Sequence, residues 1–167
     1  VNIHKIIEND MANGPGLRTT VFCTGCEHRC EGCHAQHLWE FAQGEPLSKE
    51  HISTIIQSLA KNGIHRDLSI LGGEPFHPNN INGTIEIAKR AKQYFPDIKI
   101  WVWTGYQLED KLNELKKKRA INYIDVIIDG PFRNDLPADS KSWKGSLNQQ
   151  MWIRQKTELG SQYVLAS

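Results

Sequence analysis

Two hydrophobic periods take turns along the chain. Thr19-Thr20-Val21-Phe22-Cys23 is a β-branched and aromatic run stopped at Thr24-Gly25, which predicts a strand. Gly44-Glu45-Pro46 is a break, and Ser48 then stands where a helix N-cap belongs. Ile52, Ile55, Ile56 and Leu59 follow at i, i+3, i+4 and i+7, one stripe of an amphipathic helix that Asn62-Gly63 closes. Leu47 and Ile52 are placed to staple its start. Leu68-Ser69-Ile70-Leu71 predicts a second strand, stopped by Gly72-Gly73. A helix through Ile85, Ala88 and Ala91 runs up to Phe95-Pro96, and Ile98 to Trp103 is a third strand. Leu108, Leu112 and Leu115 mark a third helix, and Tyr123 to Ile128 a fourth strand, stopped by Asp129-Gly130-Pro131. Beyond Trp143 the pattern weakens, with Met151-Trp152-Ile153 as one further strand segment.

Strands separated by helical spacers predict an α/β fold with a parallel sheet built from βαβ units. In such a sheet the chemistry collects at the carboxyl ends of the strands. Four unusual segments fall there: the loop after Cys23, Gly72-Gly73-Glu74-Pro75, Thr104-Gly105-Tyr106 and Asp129-Gly130. If the strands are parallel, all four meet at one end of the sheet.

Length narrows the architecture. The 167 residues suit one domain (1-167) and exclude a full eight-fold βα barrel of roughly 250 residues. About five βα units of roughly 30 residues fit, so a partial, open barrel is expected. The composition, 39% apolar and 23% charged, is that of a soluble globular chain. A net charge of +1 gives no reason to expect a nucleic-acid partner. No apolar stretch is long enough to cross a bilayer, and the first residues carry no signal-peptide pattern. The expectation is a cytoplasmic protein with no membrane partner.

All four cysteines lie between Cys23 and Cys33, spaced Cys23-x2-Cys26-x3-Cys30-x2-Cys33. A disulfide framework spreads its cysteines to join distant segments, whereas this loop of 23-34 reads as metal-binding or redox-active. In one reading all four thiolates close a tetrahedral zinc or iron site. In the other, Cys26, Cys30 and Cys33 hold an iron–sulfur cluster with one iron left open for a substrate or cofactor. Cys23 continues the strand and shares a face with Val21, where a free cysteine behaves as a small hydrophobe. Paired zinc knuckles are normally separated by a dozen or more residues, against three here. Both points favour three ligands. His28, His34 and His37 lie close enough to replace a thiolate.

Cys26-x3-Cys30-x2-Cys33 resembles the signature of the radical S-adenosylmethionine (SAM) superfamily. Gly14-Pro15-Gly16-x-Arg18, Phe22 and Gly25-Cys26 are similar to the signature of its glycyl-radical-enzyme activases. Trp101-Val102-Trp103-Thr104-Gly105-Tyr106, Asp129-Gly130 and Trp143-x-Gly145-Ser146-x-Asn148-Gln149 look like the branch serving anaerobic ribonucleoside-triphosphate reductase. The likeness runs from Val1 to about Gln149; the tail, 150-167, matches nothing.

The resemblance implies a single radical SAM domain, with a [4Fe–4S] cluster on Cys26, Cys30 and Cys33 and SAM on its fourth iron. It implies that Gly72, Gly73 and Glu74 meet the SAM amino group. Backbone around Cys33, at Gly32 and His34, would meet the adenine, and Thr104 would line the pocket. The implied activity is that of an oxidoreductase. One electron cleaves SAM to methionine and a 5′-deoxyadenosyl radical, which takes hydrogen from a glycine Cα of the reductase and leaves a glycyl radical. The implied partners are that reductase and a reduced electron donor such as flavodoxin or ferredoxin. Two other readings compete: a pyruvate formate-lyase-type activase, and a four-cysteine zinc or iron electron-carrier module without SAM chemistry. Other segments have ordinary readings too. Gly14 to Arg18 is a tight turn or a docking element for the partner's glycine loop. Asp129 is a turn residue or one reaching SAM, and Lys116 to Arg119 is a solvated helix end.

Overall fold

A computed structural model describes residues 1–166. One open eight-stranded sheet forms the centre, in the order β3-β1-β2-β4-β5-β6-β7-β8. The strands are β1 (Asn2–Asp10), β2 (Arg18–Cys23), β3 (Glu45–Pro46), β4 (Asp67–Gly72), β5 (Ile100–Trp103), β6 (Val126–Asp129), β7 (Gln150–Thr157) and β8 (Gly160–Leu165). Three helices connect the middle strands: α1 (Lys49–Leu59), α2 (Ile81–Tyr94) and α3 (Leu108–Lys117).

β2, β4, β5 and β6 are parallel and follow one another across the sheet, each joined to the next through a helix. That is the βαβ winding the pattern predicts. The expectation of parallel strands in a partial, open barrel needs correction at both flanks. β1 and β3 pair antiparallel on one side, β7 and β8 on the other, and the sheet does not close. Connection length accounts for this. Only residues 11–17 join β1 to β2, too few for a crossover, so the chain turns back as a hairpin. The segment 130–149 contains no α-helix, so β7 also returns antiparallel.

All three helices cover the same face. Ile55 and Leu59 of α1, Ile81, Ile85 and Ala88 of α2, and Leu108 and Leu115 of α3 share one core with Val21, Leu68, Ile70, Ile100, Val102 and Ile127. The alternate strand positions point the other way, where Trp101, Val126 and Ile128 form a smaller cluster with Trp103, Trp143 and Met151. Ser48 caps α1 as its sequence predicts. It accepts from the His51 amide (3.2 Å), and His51 Nδ1 accepts from the Ser48 amide (3.1 Å), a reciprocal capping box.

β7 pairs with β6 only from Gln150 to Ile153. The rest of β7 and the start of β8 run on together as a two-stranded ribbon, tipped by Glu158 and Leu159. Because β7 is antiparallel to β6, the ribbon projects from the amino end of the parallel strands.

Candidate functional site

The carboxyl ends of the four parallel strands surround a cleft of about 160 Å³. Cys26, His28, Cys30 and Cys33 line it from the loop after β2, and Leu71 to Glu74 from the end of β4. Trp103, Thr104 and Gly105 contribute from β5, Gly130 from β6, and Trp39, Phe132 and Gln149 complete the wall. All four segments expected at this end of the sheet are therefore present around one cavity.

The cysteines divide three to one. Cys26, Cys30 and Cys33 face the cleft, while Cys23 is 1% exposed and outside its lining. Burial, then the charge of Glu74, pushes the Cys23 thiol up to about 12. Burial also raises Cys26, to about 11, and Cys30, against opposing hydrogen bonds from the backbone amides of His28 and Phe132 respectively. Cys33 Sγ accepts from the Ala35 amide at 3.3 Å. Each cleft thiol thus has a backbone N–H beside it, the kind of donor that steadies thiolate sulfur. Among the described residues, no three His, Cys, Asp or Glu side chains converge on a point tightly enough for a single metal ion. Three soft sulfurs that line one cleft without converging on a point fit an iron–sulfur cluster better than one zinc ion. Binding there must displace the thiol protons.

Glu74 is the hub of the opposite wall. Its side chain is 1% exposed, yet its carboxylate accepts four hydrogen bonds. Oε1 takes the His28 ring N–H (2.7 Å) and the Gly105 amide (2.6 Å). Oε2 takes the Phe76 amide (2.8 Å) and the Thr104 hydroxyl (2.7 Å). Those bonds use all of its roughly four lone-pair directions. The Gly72-Gly73 loop is equally tied, with Gly73 N bound to Cys23 O and Glu74 N to Gly25 O. A Cβ on Gly73 would lie 2.6 Å from Gly25 O, so glycine is needed for the two strand-end loops to touch.

Other residues singled out in the sequence fall elsewhere. Gly32 and His34 line an adjoining depression with Phe132, whose ring centroid lies 5.5 Å from that of His34. Gly14 to Arg18 sits at the amino end of β2, the far end of the sheet from the cysteine loop. Arg18 there is fully buried, bonded to Ser69 Oγ, Pro15 O and Leu68 O, with its guanidinium 5.2 Å from the Trp101 ring. Asp129 Oδ2 accepts the first amide of α3, from Leu108 (2.6 Å), and its Oδ1 has no partner among the described residues.

Trp143 to Gln149 acquires a structural job. Gln149 Oε1 accepts from the Gly145 and Ser146 amides, and its Nε2 donates to Gly130 O. Asn148 Nδ2 donates to Pro131 O. Together they fold the long loop back onto the end of β6 and hold Phe132 in the cleft wall. Trp39 and Phe132 carried no signal in the sequence, because single aromatics in irregular segments have no period to betray them.

The chain matches the family model described as a 4Fe-4S single cluster domain over residues 12–152. It is also similar to curated proteins named anaerobic ribonucleoside-triphosphate reductase-activating protein. The protein of that name from Escherichia coli (strain K12) is 39% identical over 150 residues, 89% of this chain and 96% of the relative. The one from Pasteurella multocida (strain Pm70) is 38% identical over 150 residues, 89% and 95%. The one from Enterobacteria phage T4 is 37% identical over 152 residues, 91% and 94%.

Proposed function

The chain belongs to the family of anaerobic ribonucleoside-triphosphate reductase-activating proteins, and from that premise we propose that it installs a glycyl radical in such a reductase by radical SAM chemistry. Three cysteines of one loop, each beside a backbone amide, facing the Gly72-Gly73 loop across one cleft are the observation that carries this reading. Cys26, Cys30 and Cys33 would hold a [4Fe–4S] cluster, which would supply the electron for cleaving SAM to methionine and the 5′-deoxyadenosyl radical that would take hydrogen from a glycine Cα of the reductase.

The protein's own part is to bind and orient. The thiols give up their protons to hold the cluster. Gly72 and Gly73 leave the cleft floor free of side chains, so the SAM amino group meets backbone there. With its lone pairs already filled, Glu74 braces that floor and Thr104 beside it. Gly32 and His34 are assigned to the adenine end. The buried Asp129, with one oxygen unpartnered, stands ready at the end of β6. A reduced flavodoxin or ferredoxin serves as electron donor. Four free thiols support a reducing, cytoplasmic setting. Separately, no helix among the described residues is long and apolar enough to cross a membrane.

The test is anaerobic reconstitution with iron and sulfide, followed by reduction with SAM present. Methionine and 5′-deoxyadenosine are expected, and on adding the reductase, a glycyl radical by electron paramagnetic resonance. A fully loaded, reduced protein that never cleaves SAM would falsify the reading.

A further inference from the structure

His28 sits between two of the cleft cysteines and does something other than replace a thiolate, the one role its place in the sequence suggests. Its Nε2–H is committed to Glu74 Oε1 at 2.7 Å, so that nitrogen is not offered to a metal. The ring stands edge-on to Tyr106 with centroids 4.5 Å apart, and Lys111 Nζ lies 4.1 Å from the other ring's centroid. Gly105 makes room for it. A Cβ there would lie 2.5 Å from His28 Cδ2, so the glycine after Thr104 is what lets the imidazole reach Glu74. The histidine is therefore built in, by a glycine on one strand end and a carboxylate on another.

We propose that His28 is a positioning residue: through Glu74 it holds the cysteine loop in register with the strand-end loops Gly72-Gly73 and Thr104-Gly105. This rests on the cluster and SAM reading above. SAM must reach the open iron and the Gly72-Gly73 backbone at once, so the two walls need a fixed separation. Of the four donors to Glu74, three come from the β4 and β5 loops, and His28 alone comes from the cysteine loop. Its N–H also offsets part of a buried negative charge beside a group that must accept an electron.

Two variants separate the contributions. His28→Phe keeps the ring against Tyr106 and Gly105 and removes the donor. His28→Gln keeps a donor at the same reach. Reconstituted His28→Phe should hold as much iron as wild type, bind SAM roughly tenfold more weakly and show a more negative cluster midpoint potential. His28→Gln should recover most of both. Circular dichroism of the apoproteins checks that each variant folds. Wild-type potential and SAM affinity in a fully loaded His28→Phe would overturn the role of His28, as would failure of His28→Gln to recover either property. A wild-type protein that loads no cluster would instead overturn the reading on which this rests.

Discussion

The most deeply buried charged side chains at the two ends of the parallel strands, Arg18 and Glu74, are used differently. At the amino end, Arg18 is wholly enclosed, its guanidinium divided between Ser69, two backbone carbonyls and the face of Trp101. Asp10 beside it is held by Thr20, Asn13 and the Ala12 amide. At the carboxyl end Glu74 is as deeply buried and as fully bonded, yet its partners are the walls of an open cleft. A buried charge specifies geometry because leaving it unpartnered is so costly. At one end that geometry packs the β1–β2 turn against the strands. At the other it ties the cysteine loop to the β4 and β5 loops around an open cleft.

If this division holds, substitutions at the two ends should fail in different ways. The largest effect belongs to Cys30→Ala, which should abolish cluster loading while leaving the apoprotein's melting temperature nearly unchanged. Iron and sulfide analysis beside calorimetry checks it. Arg18→Ala should do the reverse. It should cost about 3 kcal/mol in urea unfolding, with iron per folded molecule unchanged; a loss under about 1 kcal/mol would mean that the amino end is not held by its charge. Thr104→Val lies between, removing one donor to Glu74. It should cost about 1–2 kcal/mol and weaken SAM binding with the cluster intact.

The smallest effect is a pH dependence at the amino end. Burial raises the Asp10 carboxyl, but hydrogen bonds from Thr20, Asn13 and Ala12 outweigh it and leave it below its ordinary value. A depressed folded-state pKa gives stability that is present above the unfolded value and lost as pH falls through the folded one. Wild type should therefore lose stability as the pH drops below about 4, and Asp10→Asn should flatten that part of the curve. An unchanged slope would remove Asp10 from the account.

Much of this was legible along the chain, for local reasons. Ser48 announces α1, and the strand stops at Thr24-Gly25, Gly72-Gly73 and Asp129-Gly130 mark the cleft rim, because caps and turns are written in adjacent residues. Of the flanking strands only β7 was, through Met151-Trp152-Ile153; β1, β3 and β8 were not. In β1 the register shifts between Ile3 and Lys5 and again between Ile7 and Asp10, which breaks the two-residue alternation. β8 is an edge strand with exposed Gly160, Gln162 and Leu165, so no buried face writes a period into it. Gly14 to Arg18 reads equally as a tight turn or a docking element, because an arginine after a glycine turn carries no sign of burial. His28 and Glu74 are 46 residues apart, and only the parallel pairing of β2 with β4 brings them together.

The ribbon of β7 and β8 has a practical consequence. Its tip, where Leu159 is fully exposed, lies at the opposite end of the sheet from the cleft. Exposed turns of this kind accept insertions readily. An affinity handle or fluorophore spliced between Glu158 and Leu159 would anchor the molecule to a surface with its cleft facing outward, open to whatever is flowed past it.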